Sequence, residues 1–247
     1  MSKTCKIVVV GSFISDITGF APRFPVDGET VLGSAVKFGP GGKGSNQATA
    51  ASRSGGEVVM ITKIGTDMLG GIAHEHYMHE GMTEKYVMVT DQADTGSAFI
   101  EVNEETGENR IIVVKGANEL ITSEEIYAAE EEIASADAVL TQLESSLESV
   151  VALKALAQKH NKPIVLNPAP MQEVPEGLFE GVDYFTPNET EAEFFSGVKV
   201  TSPESAEKAA EKLLALGVKN VVITLGKKGV FWTDGKEKAL VPTTDLK

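Results

Sequence analysis

Short runs of β-branched residues recur along the chain, separated by stretches whose apolar positions return every three or four residues. Residues 5–10, 57–64, 138–143, 163–167 and 220–225 are almost continuously apolar. That is the mark of strands buried on both faces. Between them, residues 44–54, 68–80, 123–135, 147–160 and 203–216 carry a helical period. Ser202-Pro203 makes a good helix start and Gly217 a good stop. Strand and helix in alternation predict an α/β fold, a mostly parallel sheet with helices on both sides.

Two stretches break the rhythm. Residues 30–38, and residues 96–102 paired with 110–115 across the acidic turn 103–108, alternate apolar and polar in the antiparallel manner. They are expected to form a small β-appendage projecting from the main sheet.

Composition narrows the function. Lys and Arg number 22 against 36 Asp and Glu, a formal net charge of −14. No basic stripe is present to neutralise a phosphate backbone, so nucleic acid is not an expected partner. A polyanionic ligand must instead be held by local donors or a bound cation. The single cysteine, Cys5, excludes an internal disulfide and a cysteine-based zinc site. The early apolar run Ile7-Val8-Val9-Val10 is too short for a signal peptide or a membrane span. A cytoplasmic protein without a membrane partner is the default expectation.

The sharpest chemical feature is Gly39-Pro40-Gly41-Gly42-Lys43-Gly44-Ser45-Asn46-Gln47-Ala48. Clustered glycines let backbone N–H groups approach a ligand, and the helix that follows offers more of them. Lys43 and Asn46 add polar groups to the same space. It is not a phosphate-binding loop of Walker type: Lys37 stands at the first glycine position, and Gly44 replaces the Ser or Thr after the lysine. The weak GxGxxG pattern is met, but a dinucleotide fold places it directly after the first strand, which here ends at Gly11. An NAD-dependent oxidoreductase is therefore disfavoured.

Asp16 and Glu144 each follow a strand, where ligand crevices of parallel sheets lie. Taken alone, each is as readily a turn or first-turn helix carboxylate. In Thr186-Pro187-Asn188-Glu189-Thr190-Glu191, Thr186 and Glu189 fit a capping box with Pro187 at the first helical position. Asn188 and Glu191, three apart, then share a helical face and suit the outer sphere of hydrated Mg²⁺. Thr224-Leu225-Gly226-Lys227-Lys228-Gly229 ends a buried strand. Its hydroxyl and amides can bind phosphate oxygens, but alone it reads as a hairpin turn. His74, His76 and His79 lack thiolate company and read as a wet helix face.

These segments, with Gly65-Thr66-Asp67-Met68-Leu69-Gly70, Asn167-Pro168-Ala169-Pro170 and Ile223-Thr224-Leu225-Gly226, occur in an order that resembles the ribokinase-like (PfkB) carbohydrate kinase family. The resemblance spans almost the whole chain. It implies a doubly wound α/β domain over residues 1–247, with lid strands inserted at about 17–40 and 95–116. It further implies a homodimer through that lid and transfer of the ATP γ-phosphoryl group to a sugar hydroxyl, most naturally ribose to ribose 5-phosphate. By matching position, Asp16, Gly42, Lys43, Asn46 and Glu144 would bind sugar. Asn188, Thr224, Gly226 and Gly229 would bind nucleotide phosphates, and Glu191 would hold Mg²⁺ through water. A monovalent cation such as K⁺ is a further implied cofactor.

The chain departs from the family pattern twice. Ile14 stands where the family's ribose-specific members carry a sugar-binding asparagine, which puts another sugar, such as fructose or a nucleoside, beside ribose as substrate. The family's Thr-Gly-Ala-Gly-Asp run, source of the catalytic base and an anion hole, is not found. Thr243-Thr244-Asp245 lacks the glycines and is followed only by Leu246-Lys247. No catalytic residue is therefore assigned within these 247 residues. The family's aspartate base is expected beyond Lys247, and the domain is expected to be incomplete at its C-terminal side. As given, the chain is expected to be weakly active or inactive as a kinase. A non-catalytic sugar-binding or regulatory module, naturally complete at Lys247, is the alternative.

Overall fold

Alternate residues of the first strand point to opposite apolar layers. Val8 and Val10 pack into one cluster with Ile126, Ile133 and Leu153, and Val9 packs into another with Ala48, Ala73 and Tyr77. A strand covered on both faces has no polar side, which is why its sequence is continuously apolar. The computed structural model describes residues 4–244. The first half runs β1 (Lys6–Val10), β2 (Ile14–Ala21), β3 (Ala35–Gly41), α1 (Lys43–Arg53), β4 (Glu57–Gly65), α2 (Gly70–His79), β5 (Val87–Thr90), β6 (Ser97–Asn103), β7 (Asn109–Val114), α3 (Ser123–Tyr127) and α4 (Glu130–Ser135). The second half runs β8 (Ala138–Gln142), α5 (Leu147–Lys159), β9 (Ile164–Asn167), β10 (Tyr184–Phe185), α6 (Glu189–Ser196), α7 (Pro203–Leu214), β11 (Asn220–Thr224), β12 (Val230–Thr233) and β13 (Lys238–Val241).

The large sheet has nine strands in the order β13-β12-β11-β10-β9-β8-β1-β4-β5. From β5 to β11 every pairing is parallel, and β12 and β13 add an antiparallel edge. Helices α1 and α2 cover one face at β1 and β4, while α3 to α7 cover the other. This is the expected α/β architecture. Among the described residues, no helix is long and apolar enough to cross a membrane.

A separate four-stranded sheet has the order β3-β2-β6-β7. Its β6–β7 hairpin is the expected antiparallel pair. Three details differ from the sequence reading. The strand expected at 30–38 begins only at Ala35, because Phe20 is the last residue of β2 to offer it a partner. Residues 14–21, read as a loop up to Asp16, form β2, pairing with β3 on one side and β6 on the other. The helix expected at 123–135 breaks into α3 and α4 where Ala129 leaves helical geometry (φ −98°, ψ 12°).

The far end of the large sheet is anchored by aromatic packing. Phe185, fully buried, meets Phe179 edge-on at 4.7 Å between centroids and Phe195 at 6.0 Å. Truncating it removes a large side chain from a region with no partner able to fill the space. Phe185→Ala is expected to cost about 3–5 kcal/mol in urea unfolding. A loss below about 1 kcal/mol would show that this corner does not support the sheet.

Candidate active site at the carboxyl edge of the sheet

The chain leaves β1 to build β4 and β5 on one side, then returns to build β8 on the other. Such a reversal opens a crevice at the carboxyl ends of the strands. The residues found there come from three segments. Ser12 follows β1, Glu144 follows β8, and Gly42-Lys43 joins β3 to α1.

Glu144 is the centre. It is almost fully buried, and one carboxylate oxygen, Oε2, accepts the Ser12 hydroxyl at 2.6 Å and the Lys43 backbone N–H at 2.8 Å. The other, Oε1, accepts the Lys43 ammonium at 2.7 Å. Burial works against its charge. The donors from Lys43 and Ser12 outweigh that and hold its carboxyl below the usual range. Three bonds fill most of a carboxylate's accepting capacity, leaving about one lone-pair direction for a ligand. The Lys43 side chain is 37% exposed, so its ammonium has donors left for a ligand as well.

Asp16 projects from β2 beside this cluster, half-buried. Desolvation and the negative charge of Glu144 both push its carboxyl up. Its side chain lies across Gly41, where a Cβ would sit 2.5 Å from a carboxylate oxygen. Gly42 adopts φ 90°, and a Cβ there would lie 2.7 Å from the Ile14 nitrogen. No other residue type fits Gly42, and a side chain at Gly41 would displace the Asp16 carboxylate. Asn46 stands one turn along α1 from Lys43, exposed on the same side of the helix. The glycine loop follows β3 and not β1, so the dinucleotide arrangement is absent.

Asn188 and Thr224 lie on the same edge of the sheet, at the ends of β10 and β11, joined as a parallel bridge. Two strand spacings separate β8 from β10, or about 10 Å. Asn188 is the N-cap of α6: its side chain accepts the Glu191 N–H at 2.8 Å, while Glu191 Oε2 accepts the Asn188 N–H at 2.9 Å. The capping box expected from Thr186 and Glu189 therefore sits two residues further on. Thr186 is still held by the sheet, its N–H bonding Leu166 O at 2.9 Å. After Thr224 comes the hairpin turn into β12. In that turn the Gly229 N–H is used internally, donating to Gly226 O at 3.2 Å, whereas Gly226 N–H bonds nothing among the described residues. Asp245 and Lys247 lie outside the described residues, and so does the position beyond Lys247 at which the aspartate base is expected.

Among the described residues there is no group of three or more His, Cys, Asp or Glu side chains able to hold a metal. The three histidines act separately: His76 meets Thr49 at 2.8 Å, His74 meets Glu84 at 2.9 Å, and His79 is 82% exposed. Sequence reasoning missed Ser12, whose hydroxyl closes the Glu144 cluster. A buried serine directly after an apolar strand was the available signal.

A wound α/β sheet with a charged, partly buried cluster at its reversal point defines a protein that binds a small polar molecule there. Comparison with known proteins makes this specific. A family model described as pfkB family carbohydrate kinase matches residues 4–245. A ribokinase of Staphylococcus aureus (strain COL) is 40% identical over 230 residues, covering 93% of this chain and 75% of the relative. A deoxyribokinase of Salmonella typhi is 34% identical over 237 residues, 96% of this chain and 77% of the relative. The solved structure of an Arabidopsis thaliana ribokinase complexed with ribose and ATP matches with a TM-score of 0.86 at 28% identity, covering 97% of this chain and 78% of that one. The chain belongs to the pfkB family of carbohydrate kinases.

The ion pair itself is testable. Lys43→Met leaves Glu144 buried with two donors. The expected loss at pH 7 is about 1–3 kcal/mol in urea unfolding, less than for a fully buried pair because the ammonium already meets water. Because the folded-state carboxyl of Glu144 is held low, its contribution is present above the unfolded carboxylate value and disappears as pH falls through the folded one. The gap between wild type and variant should therefore narrow as pH falls below the ordinary carboxylate range. A gap independent of pH would remove the ion pair as its cause.

Proposed function

We propose that this chain supplies the sugar and nucleotide sites of a kinase that phosphorylates a pentose hydroxyl with ATP, ribose to ribose 5-phosphate being the leading reaction. The observation that carries the reading is the Ser12–Lys43–Glu144 cluster with Asp16 beside it, about 10 Å along one sheet edge from Asn188 and about 14 Å from Thr224. Asp16 and Glu144 accept from sugar hydroxyls, while Lys43 and Asn46 donate to them. The free N–H of Gly226, the Thr224 hydroxyl and the Asn188 amide face phosphate oxygens. Gly229 shapes the turn, and Gly42 lets the backbone approach the sugar.

Phosphoryl transfer needs positioning and charge stabilisation more than covalent help from the protein. Mg²⁺ would be held chiefly by nucleotide phosphates and water, with Glu191, whose Oε2 also accepts the Asn188 N–H, in its outer sphere. Bound there, Mg²⁺ supplies charge neutralisation at the transferring phosphate. The base that removes the sugar proton belongs, by resemblance, to a Thr-Gly-Ala-Gly-Asp run that these 247 residues do not contain.

Ile14 favours a second substrate, a 2-deoxypentose. It is 2% exposed and, two residues before Asp16, shares that residue's face of β2. A sugar hydroxyl buried against it has no partner, at a cost of about 1–3 kcal/mol. A carbon without the hydroxyl carries no such cost. A likeness to a deoxyribokinase points the same way. The test is ADP release on a panel of pentoses, hexoses and nucleosides, with calorimetric sugar binding measured in parallel because these residues contain no Thr-Gly-Ala-Gly-Asp run. Neither turnover nor binding for any of them would overturn the kinase reading. Ile14→Asn is expected to raise the preference for ribose over 2-deoxyribose roughly 5- to 100-fold. An unchanged ratio would take Ile14 out of the sugar pocket.

The small sheet serves as a lid over this site and as the contact between two copies. Its register places Phe38, Ile17, Phe99 and Ile112 in one row across four strands, on the face opposite Asp16. Phe38 is 60% exposed, Phe99 50% and Ile112 69%. An apolar row of this kind needs a cover, and a second copy supplies the same row. Sedimentation should give a dimer, and Phe99→Asp a monomer. A wild-type monomer at micromolar concentration would overturn the assignment.

A further inference from the structure

Asn118 sits in a 3₁₀ turn, Gly116–Leu120, that directly follows the lid. It is fully buried, and every polar atom of its side chain is used. Oδ1 accepts the Phe13 N–H at 3.0 Å and the Thr62 hydroxyl at 3.3 Å. Nδ2 donates to Phe13 O at 2.8 Å and Lys115 O at 2.7 Å. Two donors on one side and two carbonyls on the other fix the amide's orientation. Its backbone carbonyl accepts the Ser146 N–H at 3.1 Å, two residues after Glu144. The amide also packs on Gly96, the residue before β6, where a Cβ would collide with Asn118 Nδ2 and approach Ile14 Cδ1 to 2.6 Å.

One side chain thus grips the segment leading into the lid at Gly96, the segment leaving it at Lys115, and the loop between Ser12 and Ile14. Through its main chain it also grips the Glu144 loop. We propose that Asn118 is a positioning residue that locks the lid hinge to the sugar loop and so holds Ser12, Lys43 and Glu144 in register for a sugar. The ligand's being a sugar rests on the function proposed above; the lock itself does not.

An amide is the one uncharged side chain of this size that accepts on one branch and donates twice on the other. Aspartate keeps the acceptor for Phe13 N–H but turns a second oxygen toward two carbonyls. Ionised, it repels them; protonated, it restores one donor. Burial and those carbonyls both raise such a carboxyl, so protonation recovers function as pH falls through the raised value.

The first test is amide hydrogen exchange on the ligand-free full chain. Asn118→Ala should speed exchange more than tenfold in residues 11–15, 43–46 and 144–146 and leave residues 220–224 unchanged. Val221→Ala, a cavity variant in the distant strand β11, should do the reverse. Acceleration confined to residues 115–121, or spread evenly, would overturn the proposal. The second test is ribose and 2-deoxyribose binding to Asn118→Asp by calorimetry between pH 5 and 8. Relative to wild type at the same pH, the dissociation constant should be at least tenfold weaker at pH 8 and recover toward acid. A ratio independent of pH, with the variant folded, would overturn the donor role. If wild type binds no sugar, the proposed function fails, while the exchange pattern still decides whether Asn118 is the lock.

Discussion

A carboxylate that is almost entirely shielded from water dictates the architecture of this protein's polar edge. Glu144 remains ionised only if donors surround it, because a lone buried charge carries a large desolvation penalty. Those donors come from far away in the chain: Ser12 is 132 residues distant and Lys43 is 101. Bringing them together requires β1 and β8 to be neighbours although four helices, two strands of the large sheet and the whole small sheet intervene. The strand order and the ion pair are therefore one constraint seen at two scales.

The same constraint places chemistry at the sheet's reversal point. With β4 on one side of β1 and β8 on the other, the loops leaving β1 and β8 part company above the sheet and leave a crevice. The polar groups of β10 and β11 stand further along that edge, at a spacing set by strand geometry and not by side chains. Under the function proposed, positioning of two substrates becomes a property of a rigid sheet, which suits a reaction that depends on placement.

The parts of this fold that were legible in the sequence are those in which one environment surrounds each element. Strands β1, β4, β8, β9 and β11 lie between helical layers and are continuously apolar, so they stood out. Strand β2 did not, because Ile14-Ser15-Asp16-Ile17-Thr18 serves the site on one face and the small sheet's outer row on the other. Strand β10 is two residues long and carries no period. The cap at Asn188 was misplaced by two residues, since Thr186 and Asn188 both satisfy the local pattern and only the sheet decides between them. That Lys43 and Glu144 line one site was expected from resemblance; their direct ion pair and the further bond from Ser12 are legible only in the geometry. Asn118 gave no signal at all: its partners are carbonyls and amides, which sequence does not display.

Register in the small sheet ties the candidate site to the sheet's outer face. Ile14 pairs with Gly41 and Asp16 with Gly39, so both side chains stand on the face that turns toward Glu144. Ile17, between Phe38 and Phe99, stands on the other. A slip of one residue along β2 would exchange the faces, aiming Ser15 at the site and Asp16 into the apolar row. Hydrophobic pattern alone holds this register weakly, because much of the sheet is exposed on both faces; every residue of β7 is open to water. What pins it is polar and close to the hinge: the Ser15 N–H bonded to Gly96 O at 2.8 Å, the Ser15 hydroxyl on Leu69 O at 3.0 Å, and Asp67 receiving the Thr95 N–H at 2.6 Å. Burial pushes the Asp67 carboxyl up, but the bonds from Thr95 and Leu69 prevail and keep it ionised well into acid. The sheet's outer surface can therefore vary without moving Asp16, because the residues that set its register lie beneath it.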